Sequence, residues 1–195
     1  MILFLDIDTQ KDFMLPGGAL YVPGAEEIIP VIKRLTGFAG RNNIPLLSSV
    51  DAHEPDDPEF RDFPPHCVSN TPGQSKIPES LLDEYLVAGQ APADGASFTR
   101  HRQIIIEKTN LDLFSNPNTE IILKELNPGL IYLYGVATDY CVGIAAQGAM
   151  KRSFNVTLIS DAIRGISKDN TEKIVTEIKV MGGMFISSEE LLSRE

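Results

Sequence analysis

Short, almost unbroken apolar runs recur along this chain: "ILFLDID" (2–8), "IPLLSSVDAH" (44–53), "RQIIIEKT" (102–109), "LIYLYGVA" (130–137), "NVTLISDA" (155–162) and the start of "MFISSEEL" (184–191). Each is as long as a strand, and several lack polar alternation. That is the pattern of a strand buried on both faces. Stretches with helical spacing lie between them: "GAEEIIPVIKRLTGFAGRNN" (24–43), "NTEIILKELN" (118–127), "CVGIAAQGAMKRS" (141–153) and "KDNTEKIVTEIKVMGG" (168–183). Pro30 is compatible with the first of these only near its start. Strands alternating with helices require crossover connections, which should be right-handed. The expectation is a three-layer, Rossmann-like α/β fold, with a mostly parallel six-stranded sheet flanked by helices, and 195 residues suit one domain. Two segments break the rhythm, 54–80 and 83–102. Loops of that length are commonly binding loops or lids.

Composition excludes several classes of function. Net charge is −10, from 27 acidic and 17 basic residues, which argues against nucleic acid or an anionic membrane as partner. The apolar runs are too short to span a bilayer. The opening "MILFLDID" lacks the basic start of a signal peptide. With only Cys67 and Cys141 in the chain, a disulfide scaffold is not expected, and a cytoplasmic location is.

In a doubly wound sheet, ligands sit beyond the carboxyl ends of the strands. The runs above deliver Asp8, Gln10, Asp12 and Phe13, then Asp51 and His53, then Lys108, then "GVATDYC" (135–141), and then Asp161. Cys141 stands at the start of a helical stretch, where unpaired N–H groups favour a thiolate. A core-filling cysteine is the alternative from position alone. A neighbouring lysine would add to the effect, and a carboxylate such as Asp8 could take the thiol proton. Asp51, His53, Glu59 and His66 together make a credible divalent-metal shell. Each of them alone also has an ordinary structural reading. Cys67 lacks a helix N-terminus and is expected to be structural. "DID" at the end of a first strand also opens phosphatases that form an aspartyl-phosphate, but Gln10 occupies the place where those need a small hydroxylated or branched residue. A nucleotide-binding module is disfavoured, because the first strand leads into "DTQKDFMLPGG" and not into a GxGxxG turn.

The segments "DIDTQKDFMLPGGALYVPGAEE", "SSVDAHEPDDPEF" with "FPPHCVSNTPG", and "GVATDYCV" resemble the isochorismatase-like cysteine hydrolases, and within them the nicotinamidases and pyrazinamidases. The resemblance spans nearly the whole chain. It implies a triad of Asp8, Lys108 and Cys141, a cis peptide between Val136 and Ala137, and an oxyanion hole made by the N–H groups of Ala137 and Cys141. It implies a metal held by Asp51, His53, Glu59 and His66, with Glu59 standing where some members carry histidine. Zinc is expected first, with manganese or iron as alternatives. Phe13 and Phe63 are implied as aromatic walls of the substrate pocket. The activity implied is hydrolysis of nicotinamide to nicotinate and ammonia, a step in recycling nicotinamide for NAD synthesis. Hydrolysis of another small amide, carbamoyl or ureido compound is the alternative. The resemblance also leaves room for a homo-oligomer. Asp6 departs from the family pattern, and "TNLDLFSNPN" (109–118) lacks the Tyr- and Gly-rich character of some nicotinamidases.

Overall fold

The computed structural model describes residues 1–193. Residues 194–195, the end of the expected domain, lie outside the described residues. A parallel sheet runs through the molecule. Its strands are β1 (Ile2–Ile7), β2 (Leu46–Asp51), β3 (Leu86–Ala88), β4 (Gln103–Lys108), β5 (Leu130–Val136), β6 (Val156–Arg164) and β7 (Met184–Ile186), in the order β3-β4-β2-β1-β5-β6-β7. Every pairing is parallel. The α/β architecture is the one expected, with seven strands in place of six.

The added strand is β3, which falls in the segment 83–102 that the sequence pattern leaves irregular. Three residues are too few to show a period. β3 is an edge strand, paired with β4 through Leu86, Val87 and Ala88. Side chains from elsewhere secure the chain beyond it. Asn116 Nδ2 donates to Gly89 O at 3.1 Å, and Asn118 Nδ2 donates to the carbonyls of Gly89 and Ala91, each at 2.9 Å.

Strand alternation divides the core in two. Leu3, Leu5 and Ile7 of β1 and Ile131 and Leu133 of β5 face one side, where they meet helices α4 (Pro117–Leu126), α5 (Gly143–Lys151) and α6 (Lys168–Val180) through Ile122, Ala145, Ala149 and Ile178. Phe4, Tyr132, Tyr134 and Val136 face the other, against Ile32, Leu35 and Ala39 of α2 (Ile29–Arg41) and Leu191 of α7 (Ser188–Leu192). Pro30 sits in the first turn of α2, where its missing N–H costs nothing. Short helices α1 (Lys11–Met14) and α3 (Gly95–Phe98) complete the set. No helix among the described residues is long and apolar enough to cross a membrane.

Asp161 is a correction. β6 runs three residues past it to Arg164, so Asp161 does not lie at the strand end. Its carboxylate accepts from the N–H and hydroxyl of Ser188, at 2.7 and 2.6 Å, and so secures the start of α7.

Candidate active site

Strand register brings the first cluster together. β1 lies between β2 and β5, and β2 pairs with β4 so that Asp51 stands opposite Lys108. Asp8 follows β1 with a φ of 49°, a left-handed conformation that aspartate tolerates better than most residues. There its carboxylate accepts from the Ser49 hydroxyl at 2.6 Å. The Lys108 ammonium is fully buried and reaches three partners. It lies 2.9 Å from Asp8 Oδ2, donates to Asp51 Oδ1, and lies 3.6 Å from Cys141 Sγ. Carboxylate, ammonium and thiol thus meet out of water, as the residues proposed for a triad.

Cys141 belongs to the turn Thr138–Val142 that leads into α5. This turn is broken at Tyr140, whose φ and ψ are −131° and −110°. The peptide between Val136 and Ala137 is cis. Burial pushes the Cys141 thiol well above its usual range, and Asp8 and Asp51 add to the rise against the opposing Lys108 charge. A helix N-terminus does not outweigh enclosure beside two carboxylates. The thiol therefore rests protonated and needs a base at the moment of attack. The two acids differ in a useful way. Burial takes Asp8 up despite Lys108, whereas for Asp51 the same burial is overcome by Lys108 and His53, and its pKa falls. Asp8 is the better proton acceptor of the pair. Lys108 stays charged: burial favours loss of its proton, but Asp51 and Asp8 raise it well above the usual lysine range.

A second cluster shares Asp51. Ligand atoms of Asp51, His53 and His66 lie within 4.8 Å of one another, all in buried residues. His53 Nε2 and His66 Nε2 are each 3.9 Å from Asp51 Oδ2. Their other ring nitrogens are turned away: His53 Nδ1 lies 3.0 Å from Asp57 Oδ2, and His66 Nδ1 lies 2.8 Å from Pro64 O. Both His53 ring nitrogens are buried without a hydrogen-bond partner, Nδ1 having only its ion-pair contact with Asp57. An orphaned imidazole nitrogen, a second imidazole and a carboxylate aimed at one point are the donor set a divalent cation takes, so these residues fit such an ion. Glu59 stands outside this trio among the described residues, although it borders the same pocket.

The pocket between the clusters is walled by Phe13, Leu20, Val22, Phe63, Leu111, Val136, Tyr140 and Ile166, with Asp8, Asp51, Glu59, His66 and Cys141 supplying its polar atoms. Phe13 and Phe63 both sit beside His66, with ring centroids 5.4 and 6.3 Å away. No arginine or lysine side chain lines this cavity among the described residues.

The segment 54–80 is tied to β1 and α1. Gln10 Nε2 donates to Asp51 O and Gln74 O, both at 2.8 Å, while its Oε1 accepts from Asp51 N. Asp12 accepts from Cys67 N at 2.7 Å and Ala19 N at 3.1 Å. Gly73 leaves room for this, because a Cβ there would meet the Asp12 carboxylate at 2.2 Å. Asp6 also finds its role here. It pairs with the ammonium of Lys76 at 2.8 Å in a buried contact joined by the hydroxyls of Thr9 and Ser48. Cys67 is wholly buried, and its thiol is raised by enclosure. That leaves it protonated and unreactive.

Residues 2–190 match the isochorismatase domain. The chain belongs to the isochorismatase family. It is 28% identical over 188 residues to the nicotinamidase of Escherichia coli, covering 83% of this chain and 82% of that protein. It is 25% identical over 177 residues to the N-carbamoylsarcosine amidase of an Arthrobacter species, covering 85% of this chain and 62% of that one. The pyrazinamidase of Pyrococcus horikoshii, solved in complex with zinc, superposes with a TM-score of 0.81 at 28% identity, over 95% of this chain and 98% of that one.

Several pocket residues of this isochorismatase-family chain carry no signal in the sequence. Leu20, Leu111 and Ile166 come from three separate loops and look like any other apolar loop residue. Tyr140 could have been found, since it adjoins Cys141. Asp57 is one of several acids in "EPDDPEF", and only the fold singles it out.

Proposed function

We propose that this isochorismatase-family protein is an amidohydrolase that cleaves a small, neutral, aromatic carboxamide through a thioester on Cys141, with nicotinamide as substrate. The observation that carries this reading is the Lys108 ammonium held among Asp8, Asp51 and Cys141 at the end of a narrow apolar pocket. Similarity to the E. coli nicotinamidase supports the choice of amide. The lining supports it too, because a substrate bearing a carboxylate, such as an N-carbamoyl amino acid, is commonly held by an arginine or lysine side chain, and none lines the cavity among the described residues.

In this mechanism the ring lies against Phe13 and Phe63, and its carboxamide faces Cys141. Asp8 accepts the thiol proton while Lys108 holds both groups in line. The sulfur attacks the amide carbon, and the N–H groups of Ala137 and Cys141 receive the oxyanion. Each such donor is worth a factor of roughly a hundred to a thousand in rate. Asp8 then returns its proton to the departing nitrogen, and ammonia leaves. Asp8 next takes a proton from water, which cleaves the thioester to nicotinate and restores the thiol. A divalent ion held by Asp51, His53 and His66, zinc first and manganese or iron after it, would supply positive charge to bind and orient a lone-pair-bearing ring. Glu59 is the remaining candidate ligand.

Ammonia release from nicotinamide, pyrazinamide, benzamide and N-carbamoyl amino acids is the test, run with and without chelator. The expected result is turnover of the neutral aromatic amides and loss of turnover in Cys141→Ala. Faster turnover of the carbamoyl acids would replace nicotinamide as substrate. Undiminished activity in Cys141→Ala would overturn the thioester.

A further inference from the structure

The two histidines of the buried cluster are held in different ways. The ring of His66 is fixed through its Nδ1 by Pro64 O, a neutral carbonyl two residues back in its own chain. His53 Nδ1 instead faces a carboxylate, Asp57, in an ion-pair contact of 3.0 Å. The His53 backbone is already secured, since its N–H donates to Cys67 O at 3.2 Å and its carbonyl accepts from Ser69 N at 2.8 Å. Ring orientation and proton placement are left to Asp57. The other Asp57 oxygen accepts from Glu59 N at 2.9 Å and so caps the turn Pro58–Arg61. One carboxylate therefore reaches two places: the back of a buried imidazole and the turn that carries Glu59 to the pocket.

We propose that Asp57 is a positioning residue for metal binding: it holds the His53 proton on Nδ1, keeps the Nε2 lone pair facing Asp51 and His66, and thereby sets the affinity of the cluster for a divalent cation. A carboxylate on the far nitrogen fixes the tautomer and makes the near nitrogen a stronger donor. A carbonyl fixes the tautomer but adds no charge. His53 is then the stronger of the two imidazole ligands, and its strength depends on a residue that does not touch the ion. The cap on Glu59 N adds a second consequence, because the candidate fourth ligand hangs from the same side chain.

This inference rests on the reading of Asp51, His53 and His66 as a metal site, and the experiment separates the two. The full-length protein is stripped with chelator, and zinc affinity is measured by competition with a chromogenic chelator, for wild type, Asp57→Asn, Asp57→Ala and Asp62→Asn. Asp62 is an exposed acid of the same loop and reports the general effect of losing one negative charge. Folding of each variant is checked by near-UV circular dichroism. The expected result is a loss of about 10- to 100-fold in affinity for Asp57→Asn and at least as much for Asp57→Ala, with Asp62→Asn within a factor of about two of wild type. Equal affinity in wild type and a folded Asp57→Asn overturns the role of Asp57. An equal loss in Asp62→Asn reduces it to bulk charge and overturns it too. If wild type itself binds no zinc, and His53→Ala changes nothing, the metal site fails first. A further readout is the 15N spectrum of the zinc-loaded protein, in which His53 carries its proton on Nδ1 in wild type. The same tautomer at the same shift in Asp57→Ala would also overturn the assignment.

Discussion

The Asp8–Lys108–Cys141 cluster and the Asp51–His53–His66 cluster share a carboxylate and a pocket, yet they are built by different means. The first hangs from the ends of β1, β4 and β5 and is set by strand register, which adjoining ladders over-determine. The second draws His66 from the long segment 54–80, which holds its place through isolated backbone bonds, such as Lys11 N to Ser75 O, Asp12 N to Gly73 O and Ile77 N to Thr9 O, and through side-chain bonds from Gln10 and Asp12 and the Asp6–Lys76 pair. Precision comes from continuous strand ladders in one case and from isolated backbone bonds and side-chain contacts in the other. The chemistry that must be placed most closely sits on the sheet. His66, which can adjust around a ligand, sits on the loop, while Asp51 stays fixed at the end of β2.

If the contrast is right, damage to the two clusters should separate. Lys108→Met is expected to have the largest effect, because it leaves Asp8 and Asp51 buried without their shared cation. Stripping one partner from a buried charge pair costs about 3–5 kcal/mol, so thermal or denaturant unfolding should show a large loss of stability along with loss of amidase activity. Unchanged stability would break the picture of a self-compensating strand-end cluster. Asp12→Ala should be milder. It orphans the N–H of the buried Cys67 at a cost of about 1–3 kcal/mol, and should speed proteolysis within 54–80 and weaken zinc affinity. The rate at which iodoacetamide alkylates Cys141 should stay near that of wild type. A parallel rise in alkylation would show that the clusters are not separable.

The loop cluster also has a pH signature of its own once metal is stripped. Burial draws His53 down, but the neighbouring Asp51 and Asp57 carboxylates outweigh this and carry it up to about 9, from 6.5 when unfolded. A folded-state pKa above the unfolded one means that protonation stabilises the fold. That contribution is complete below about pH 6.5 and is lost as pH rises through about 9. Chelated protein should therefore lose melting temperature across that window, and His53→Asn should flatten the slope. Saturating zinc should remove it as well, because a metal ligand carries no proton on the bound nitrogen. The smallest effect is expected from Asp139→Asn. Asp139 accepts from the N–H groups of Ile166 and Ser167, at 2.9 and 2.8 Å, and so ties the cysteine turn to a pocket wall at the start of α6. Removing its charge should cost about 0.3–1 kcal/mol and raise KM more than it lowers kcat. A fall confined to kcat would place Asp139 closer to the chemistry than its contacts suggest.

Legibility in the sequence follows the same division. The strands of the sheet's middle could be read because a strand covered on both faces is a continuous apolar run, and such runs put Asp8, Lys108 and Cys141 at one end of the sheet. β3 could not be read, since "LVA" is held by its pairing with β4 and by Asn116 and Asn118, whose contribution is visible only after folding. Asp161 was misplaced because the apolar run ends before β6 does. The enclosure that raises the Cys141 thiol was hidden for a related reason: a helix start is local and shows in the sequence, whereas burial beside two carboxylates does not. Asp57 had no distinguishing mark, and Asp6 showed only as a departure from the family pattern, because their partners, His53 and Lys76, are chosen by geometry.

The Asp6–Lys76 pair bears on how the pocket admits its guest. Both side chains are enclosed, and Lys76 joins its segment to the innermost part of the sheet. Lifting that flap would strand two opposite charges, a penalty of several kcal/mol at each cycle. That segment therefore stays shut over the pocket, and among the described wall residues Ile166 is the one left exposed to solvent.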